Sequence, residues 1–197
     1  MALALGVLVS GTGSNLGAIL AAIAEGRLDA RVRVVVSNKA DVKGLDRARD
    51  HGVPAVVLSH TGHADRGAYD RALVDSLRDH GVEWVVLAGF MRIVGRQFLD
   101  AFPGRVINIH PSLLPAFPGV DAQAQAIARG VKITGCTTHF VDGGVDTGPI
   151  IGQRAVPVLD GDSRDTLAAR ILVEEHALLV ETLRRVAAGD VSAGPPP

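Results

Sequence analysis

A single cysteine, Cys136, in 197 residues excludes an intramolecular disulfide and any structural zinc site built on paired cysteines. A reducing, cytoplasmic setting is the expectation. Aromatic residues are only 4% of the chain against 47% hydrophobic, so the core must come from Val, Leu, Ile and Ala, a palette suited to buried parallel strands under helices. The formal net charge is −1, which gives no electrostatic basis for bulk nucleic-acid binding; a small anion would need a local site. The apolar opening, residues 1–9, has no basic leader, is too short to span a bilayer and runs into a glycine turn. It reads as the first strand of a soluble protein with no membrane partner. His51, His60, His63 and His80 show no metal-ligand spacing and read as solvated, and no metal is expected. Two nucleotide motifs are also missing. A dinucleotide turn would need glycine at Leu16 and finds Gly17 one residue late, and no P-loop occurs.

What is present is strand and helix periodicity over nearly the whole length. Apolar runs at 3–9, 31–37, 53–58, 82–87 and 105–110 read as strands, and Pro54 is tolerable only near the start of its run. Helical spacing recurs at Leu16, Ile19, Leu20 and Ile23, over 44–51, at Tyr69, Leu73, Val74 and Leu77, and over 97–101 and 122–129. Segments 132–141 and 149–158 flank a glycine-rich loop and read as a hairpin. A long amphipathic helix follows Ser163 as N-cap and stops at Gly189. The fold class expected is therefore α/β: a Rossmann-like, three-layer, open mixed sheet, mostly parallel, with a C-terminal antiparallel hairpin and a long C-terminal helix. Residues 1–190 are expected to form one domain, and 191–197 a disordered tail.

In the run 105–110, Asn108 and His110 share one face of an extended strand, and Pro111 and Pro115 end it. An amide donor beside an imidazole is an oxyanion and acid–base pair, or alternatively two polar residues closing a turn. The turn Gly11-Thr12-Gly13-Ser14-Asn15 precedes a helix, with Ser14 or Asn15 as cap. It is either a cradle for a phosphate on the helix N-terminus or merely a tight turn. After the fourth strand, Phe90, Met91 and Ile93 either wall a pocket for a flat organic group or anchor the next helix. Asp142 and Asp146 sit in the hairpin loop, and a carboxylate near His110 favours the imidazolium. Glu174 and Glu175, taken alone, read as a solvated helix face. Residues 111–132, a proline-punctuated loop and short helix, are long enough to act as a lid. No serine or cysteine stands in a nucleophile motif, which disfavours an acyl-enzyme.

Five segments together carry a resemblance: Ser10-Gly11-Thr12-Gly13-Ser14-Asn15, Ser37-Asn38-Lys39-Ala40, Leu87-Ala88-Gly89-Phe90-Met91-Arg92, Asn108-Ile109-His110-Pro111-Ser112-Leu113-Leu114-Pro115, and His139-Phe140-Val141 with Asp146. From the first strand to about Leu179 the chain resembles the folate-dependent phosphoribosylglycinamide formyltransferases of purine synthesis. The resemblance implies formyl transfer from 10-formyltetrahydrofolate, a co-substrate, to the amine of glycinamide ribonucleotide. It implies that Asn108 and protonated His110 stabilise a tetrahedral oxyanion, and that Asp146 orients His110 and assists proton transfer. Gly11, Thr12, Gly13, Ser14 and Asn15 would hold the ribonucleotide phosphate and Glu175 the ribose hydroxyls. Met91, Arg92, Ile93 and Val94 would meet the pterin, with the backbone of Val141, Asp142, Gly143, Gly144 and Val145 closing the pocket and Arg66 near the cofactor or its glutamate tail. Where the family often carries histidines after the Pro-Gly of the lid, this chain has Asp121 and Gln123.

Three other readings remain at this level. A formyltetrahydrofolate hydrolase would share the pocket but carry an extra N-terminal domain, and a methionyl-tRNA formyltransferase would need a C-terminal RNA-binding domain and a more basic surface. A non-catalytic folate or nucleotide binder would leave Asn108, His110 and Asp146 without a joint purpose. Oligomeric state is not legible.

Overall fold

The computed structural model describes residues 2–191. The order of elements is β1 (Leu3–Val9), α1 (Ser14–Ala24), β2 (Ala30–Ser37), α2 (Lys43–Asp50), β3 (Ala55–Val57), a 3-10 turn (His60–Gly62), α3 (Arg66–Asp79), β4 (Trp84–Leu87), α4 (Arg96–Ala101), β5 (Val106–His110), α5 (Ala122–Arg129), β6 (Ile133–Phe140), β7 (Ile150–Pro157) and α6 (Arg164–Ala188). One seven-stranded sheet runs β3-β2-β1-β4-β5-β6-β7. The pairs from β3 to β5 are parallel, and β5–β6 and β6–β7 are antiparallel. This is the mixed, mostly parallel sheet expected from the strand pattern.

Strand alternation divides the apolar residues between two faces. Val7, Val9, Val86, Ile107 and Ile109 pack with Leu16 and Ile19 of α1, Leu45 of α2 and Ile171, Leu179 and Leu183 of α6. Leu8, Val34, Val36, Val85 and Val106 pack on the other side with Leu73 and Leu77 of α3 and Phe98 of α4. The result is three layers with α6 as the longest cover. Its start is fixed by a capping box in which the Ser163 hydroxyl accepts from the Thr166 amide and Thr166 accepts from the Ser163 amide. The chain passes from β1 outward to β2 and β3, and then from β4 to β5 on the other side. A crevice therefore opens at the carboxyl ends of β1 and β4. It is braced there, since Ser10 N–H donates to Gly89 O and Met91 N–H donates to Ser10 Oγ.

Four local expectations need correction. β3 is three residues long, because Pro54 has no N–H for the ladder and the strand lies at the sheet edge. The cap of α1 is Gly13, not Ser14 or Asn15. Gly13 sits at φ 65°, and a Cβ there would lie 2.6 Å from Gly44 Cα, so the turn closes on α2 in a way that only glycine permits. His60 and His63 are not freely solvated, since both rings stand edge-on to Tyr69 with centroids 6.3 and 5.3 Å away. Val191 packs against the core instead of beginning a disordered tail; the remainder of that tail, 192–197, lies outside the described residues. No helix is long and apolar enough to cross a membrane among the described residues.

Candidate active site

A cluster of hydrogen-bonded polar groups is built by β5, β6 and two loops. Because β5 and β6 are antiparallel with Asn108 opposite His139, alternation puts Asn108, His110 and His139 on one side of the sheet. The loop after β6 then brings in Asp146, which sits at φ 55° in the left-handed region. Its carboxylate Oδ2 lies 3.2 Å from His110 Nδ1 and accepts the Gly119 N–H at 2.8 Å. Its Oδ1 accepts from Asn108 Nδ2 at 3.3 Å and lies 3.6 Å from His139 Nε2. Burial alone would raise the Asp146 carboxyl. The His139 ring, the Gly119 amide and the positive charge of His110 and His139 outweigh it and hold the group below the usual carboxylate value.

The two histidines differ in what they face. His139 Nδ1 donates to Phe140 O at 2.8 Å, so a neutral ring offers its Nε2 lone pair to Asn108 Nδ2, 3.1 Å away. A protonated ring would donate to Asp146 instead, with the Asn108 amide turned over. His110 faces acceptors on both sides, Asp146 through Nδ1 and the lid carbonyl Phe117 O through Nε2 at 2.8 Å. Only the doubly protonated ring donates to both at once. The side chain of His110 is nearly buried, and the groups around it form a charged, hydrogen-bonded cluster.

Beside this cluster lies a cavity of about 600 Å³. Asn108, His110, Asp146, Met91, Arg92, Ile93, Val94, Val141, Asp142, Gly144, Val145, Asn15 and Glu175 line it. The 90–94 loop divides between the core and the cavity. Phe90 is buried in the α3 and α4 layer, whereas Met91 and Ile93 are more than half exposed at the cavity. Arg66 stands behind the loop, donating from Nη2 to Val94 O at 2.7 Å, and does not itself line the cavity. Gly11, Thr12, Gly13, Ser14 and Gly143 are likewise outside the lining, although Asn15 reaches it from the first turn of α1.

At that end Asn15 Nδ2 donates to Glu175 Oε2 at 2.8 Å across 160 positions of sequence. Both residues are more than nine-tenths buried, so Glu175 is not on a solvated face. Burial raises the Glu175 carboxyl, and the Asn15 bond offsets part of that rise. The lining of the cavity thus combines the apolar side chains Met91, Ile93 and Val94, the buried Glu175 carboxylate with its Asn15 amide, and the His110 cluster. Cys136 plays no part as a nucleophile: it is buried, and burial with the nearby charges of Glu175 and Glu174 pushes its thiol up to about 12. Among the described residues no group of three His, Cys, Asp or Glu is placed to hold a metal.

His139 is the member of the cluster that sequence reasoning left without a role. No sequence signal placed it, because His139 comes across from Asn108 only through the β5–β6 pairing. The lid contacts at Phe117 and Gly119 are backbone groups and leave no side-chain signature.

Comparison with known proteins bears on this arrangement. Residues 4–183 match the family model described as Formyl transferase. The chain is 43% identical over 170 residues to phosphoribosylglycinamide formyltransferase of Bacillus subtilis (strain 168), covering 86% of this chain and 87% of that one. It is 48% identical over 185 residues to the trifunctional purine biosynthetic protein adenosine-3 of Drosophila pseudoobscura pseudoobscura, covering 93% of this chain but only 14% of that protein. The chain thus spans less than a fifth of the length of such trifunctional relatives. In three dimensions it matches the crystal structure of glycinamide ribonucleotide transformylase 1 from Symbiobacterium toebii, with a TM-score of 0.95 at 51% identity over 99% of this chain and 93% of that one.

Proposed function

This chain belongs to the formyl transferase family, and we propose that it transfers the formyl group of 10-formyltetrahydrofolate to the amine of glycinamide ribonucleotide. The observation that carries the reading is the meeting of Asn108, His110 and Asp146 beside one cavity that Met91 and Ile93 on the one hand and Asn15 and Glu175 on the other also line. The Met91 to Val94 wall takes the flat pterin, with the 141–145 backbone closing over it and Arg66 holding the wall from behind. Glu175 accepts hydrogen bonds from the ribose hydroxyls. The backbone N–H groups of Gly11 to Asn15, at the start of α1, receive the phosphate. Residues 1–190 act as one domain, in the cytoplasm, with these small molecules as partners and no nucleic acid, membrane or metal.

The amine nitrogen attacks the formyl carbon, and the carbonyl oxygen gains charge as the carbon becomes tetrahedral. Asn108 and the doubly protonated His110 donate to that oxygen. His110 can do so only through Nε2, because Nδ1 is directed at Asp146, so the Phe117 carbonyl must give way to the substrate oxygen. Asp146 holds the ring in orientation and stabilises its charge. Collapse of the intermediate breaks the bond from the formyl carbon to N10 of the folate. The proton lost by the amine passes to N10, with Asp146 assisting, and the products are N-formyl ribonucleotide and tetrahydrofolate. No protein nucleophile is required.

The test is to follow loss of the formyl group from 10-formyltetrahydrofolate with and without glycinamide ribonucleotide. Amine-dependent deformylation with formation of the N-formyl product is expected. Deformylation at the same rate without the amine would make the protein a hydrolase, and no reaction at all would make it a binder.

A further inference from the structure

A second cavity, of about 780 Å³, opens at the amino ends of β2 and β3, the opposite end of the parallel strands from the candidate active site. Its charged lining residues are Arg31, Arg33 and Arg78 against Asp79, a formal excess of two positive charges in a chain whose net charge is −1. Arg31 and Arg78 are exposed and in no ion pair among the described residues. Arg33 is placed there by a backbone irregularity. The β1–β2 register steps from Leu5↔Val32 to Gly6↔Val34, so Arg33 is an extra residue in the ladder, and bulges of this kind redirect side chains. Its Nε donates to His80 O, which leaves the two terminal nitrogens of the guanidinium as further donors.

Two imidazoles complete the polar rim. Nδ1 of His51 bonds Arg47 O at 2.9 Å and Nδ1 of His80 bonds Ser76 O at 2.7 Å. A carbonyl only accepts, so Nδ1 carries the hydrogen in each ring, and Nε2 of the neutral ring is an acceptor suited to a hydroxyl donor. Half-buried Ile23 and Val53, with Pro54, give the cavity an apolar side. Guanidinium donors for an oxyanion, acceptors for hydroxyls and an apolar surface for a flat ring are the complement of one ligand class. We propose that this cavity is a second ligand site, separate from catalysis, that takes a nucleoside monophosphate.

The experiment titrates the full chain with adenosine monophosphate, and separately with inorganic phosphate, while amide resonances are followed by NMR. Gly52 and Gly81 report on this cavity and Gly13 on the candidate active site. Adenosine monophosphate is expected to shift Gly52 and Gly81 saturably. The midpoint should rise about tenfold or more in R31Q/R78Q, since each lost guanidinium removes a charge-assisted bond. The response of Gly13 should be the same in both proteins. R78Q alone should give an intermediate midpoint, and both exchanges replace exposed side chains outside the core. The proposal is overturned if Gly52 and Gly81 do not move or move without saturating. It is equally overturned if the variants bind as wild type does, or if inorganic phosphate binds as tightly as the nucleotide. Formyl transfer is not part of the readout, so the outcome is independent of the catalytic reading.

Discussion

Replacing Asp146 with Asn keeps the shape of the side chain and removes its charge, which isolates the electrostatic part of its role. At 3.2 Å from His110 Nδ1, with both side chains nearly buried, the pair attraction is about 5 kcal/mol at an effective dielectric constant of about 20. That sets a ceiling of about 10⁴-fold on the rate lost. The floor is the loss seen when one preorganised oxyanion donor is removed, about 10²-fold. The expected fall in kcat for D146N lies between these. Stability should fall as well. An Asn at 146 can still accept the Gly119 and His110 N–H bonds through its oxygen and direct its NH₂ toward His139 Nε2, but the Asn108 amide, which donates to Asp146 Oδ1, must turn over to avoid facing that NH₂. The melting temperature should fall by about 5 °C or more even so, because removing one partner of a nearly buried pair leaves the His110 charge uncompensated. Acid unfolding separates the two proteins as well. A carboxyl held low in the fold contributes stability fully above its unfolded value of about 3.9 and loses it as pH falls through the lower folded value. D146N should lack that step. The assay is steady-state formyl transfer beside ribonucleotide binding by calorimetry. A kcat within tenfold of wild type, with the fold intact, would refute the role given to Asp146.

The Glu175 carboxyl is shifted the other way, and its sign is opposite. Burial raises it above the unfolded value of about 4.3, so the native state binds the proton more tightly. Stability is greatest below that value and falls as pH rises through the folded one. E175Q should therefore unfold at a higher temperature than wild type at neutral pH, while its KM for the ribonucleotide rises about tenfold or more from loss of an ionised acceptor; an unchanged KM would remove Glu175 from the ribose site. In G95A the new Cβ would lie 2.4 Å from Asp70 Oδ2, which accepts the Gly95 N–H at 2.8 Å from a nearly buried position. The 90–94 wall must shift, costing about 1–3 kcal/mol of stability by denaturant unfolding and raising KM for the formyl-folate more than for the ribonucleotide. Equal effects on both KM values would mean that the wall does not face the folate.

The fold was legible because its signals are local. Continuous apolar runs such as Trp84 to Leu87 mark buried parallel strands, helical spacing marks α3 and α6, and Ser163 announces its helix by capping chemistry. The faults lie where a distant residue decides. Gly13, rather than Ser14, ends the turn because α2 crosses there at Gly44, which no property of the turn itself reveals. Glu175 looks solvated on the helical pattern, yet it is buried against Asn15 because α1 and α6 lie on the same face of the sheet. His139 joins Asn108 only once β6 is registered against β5. In each case what was missing was the neighbour.

The lid adds a last physical constraint on how the site is used. Phe117 O accepts from His110 Nε2 and Gly119 N–H donates to Asp146 Oδ2, so two backbone groups of one loop occupy the acid and the carboxylate together. Phe117 is at φ 55° and Asp121 at φ 56°, conformations that non-glycine residues adopt at a cost when nothing over-determines them. The loop is held by its contacts: Ser112 Oγ donates to Ala116 O, Gln125 donates to Pro118 O and Val120 O, and Arg164 pairs with Asp121. Water reaching the cavity therefore meets a His110 whose proton is already committed to a carbonyl. A formyl oxygen brought in by bound folate competes for the same N–H with the orientation already set by the pocket, an advantage that free water lacks. In the proposed reaction the His110 N–H is thus released to the formyl oxygen only when folate fills the pocket, and the backbone of the lid sets that condition.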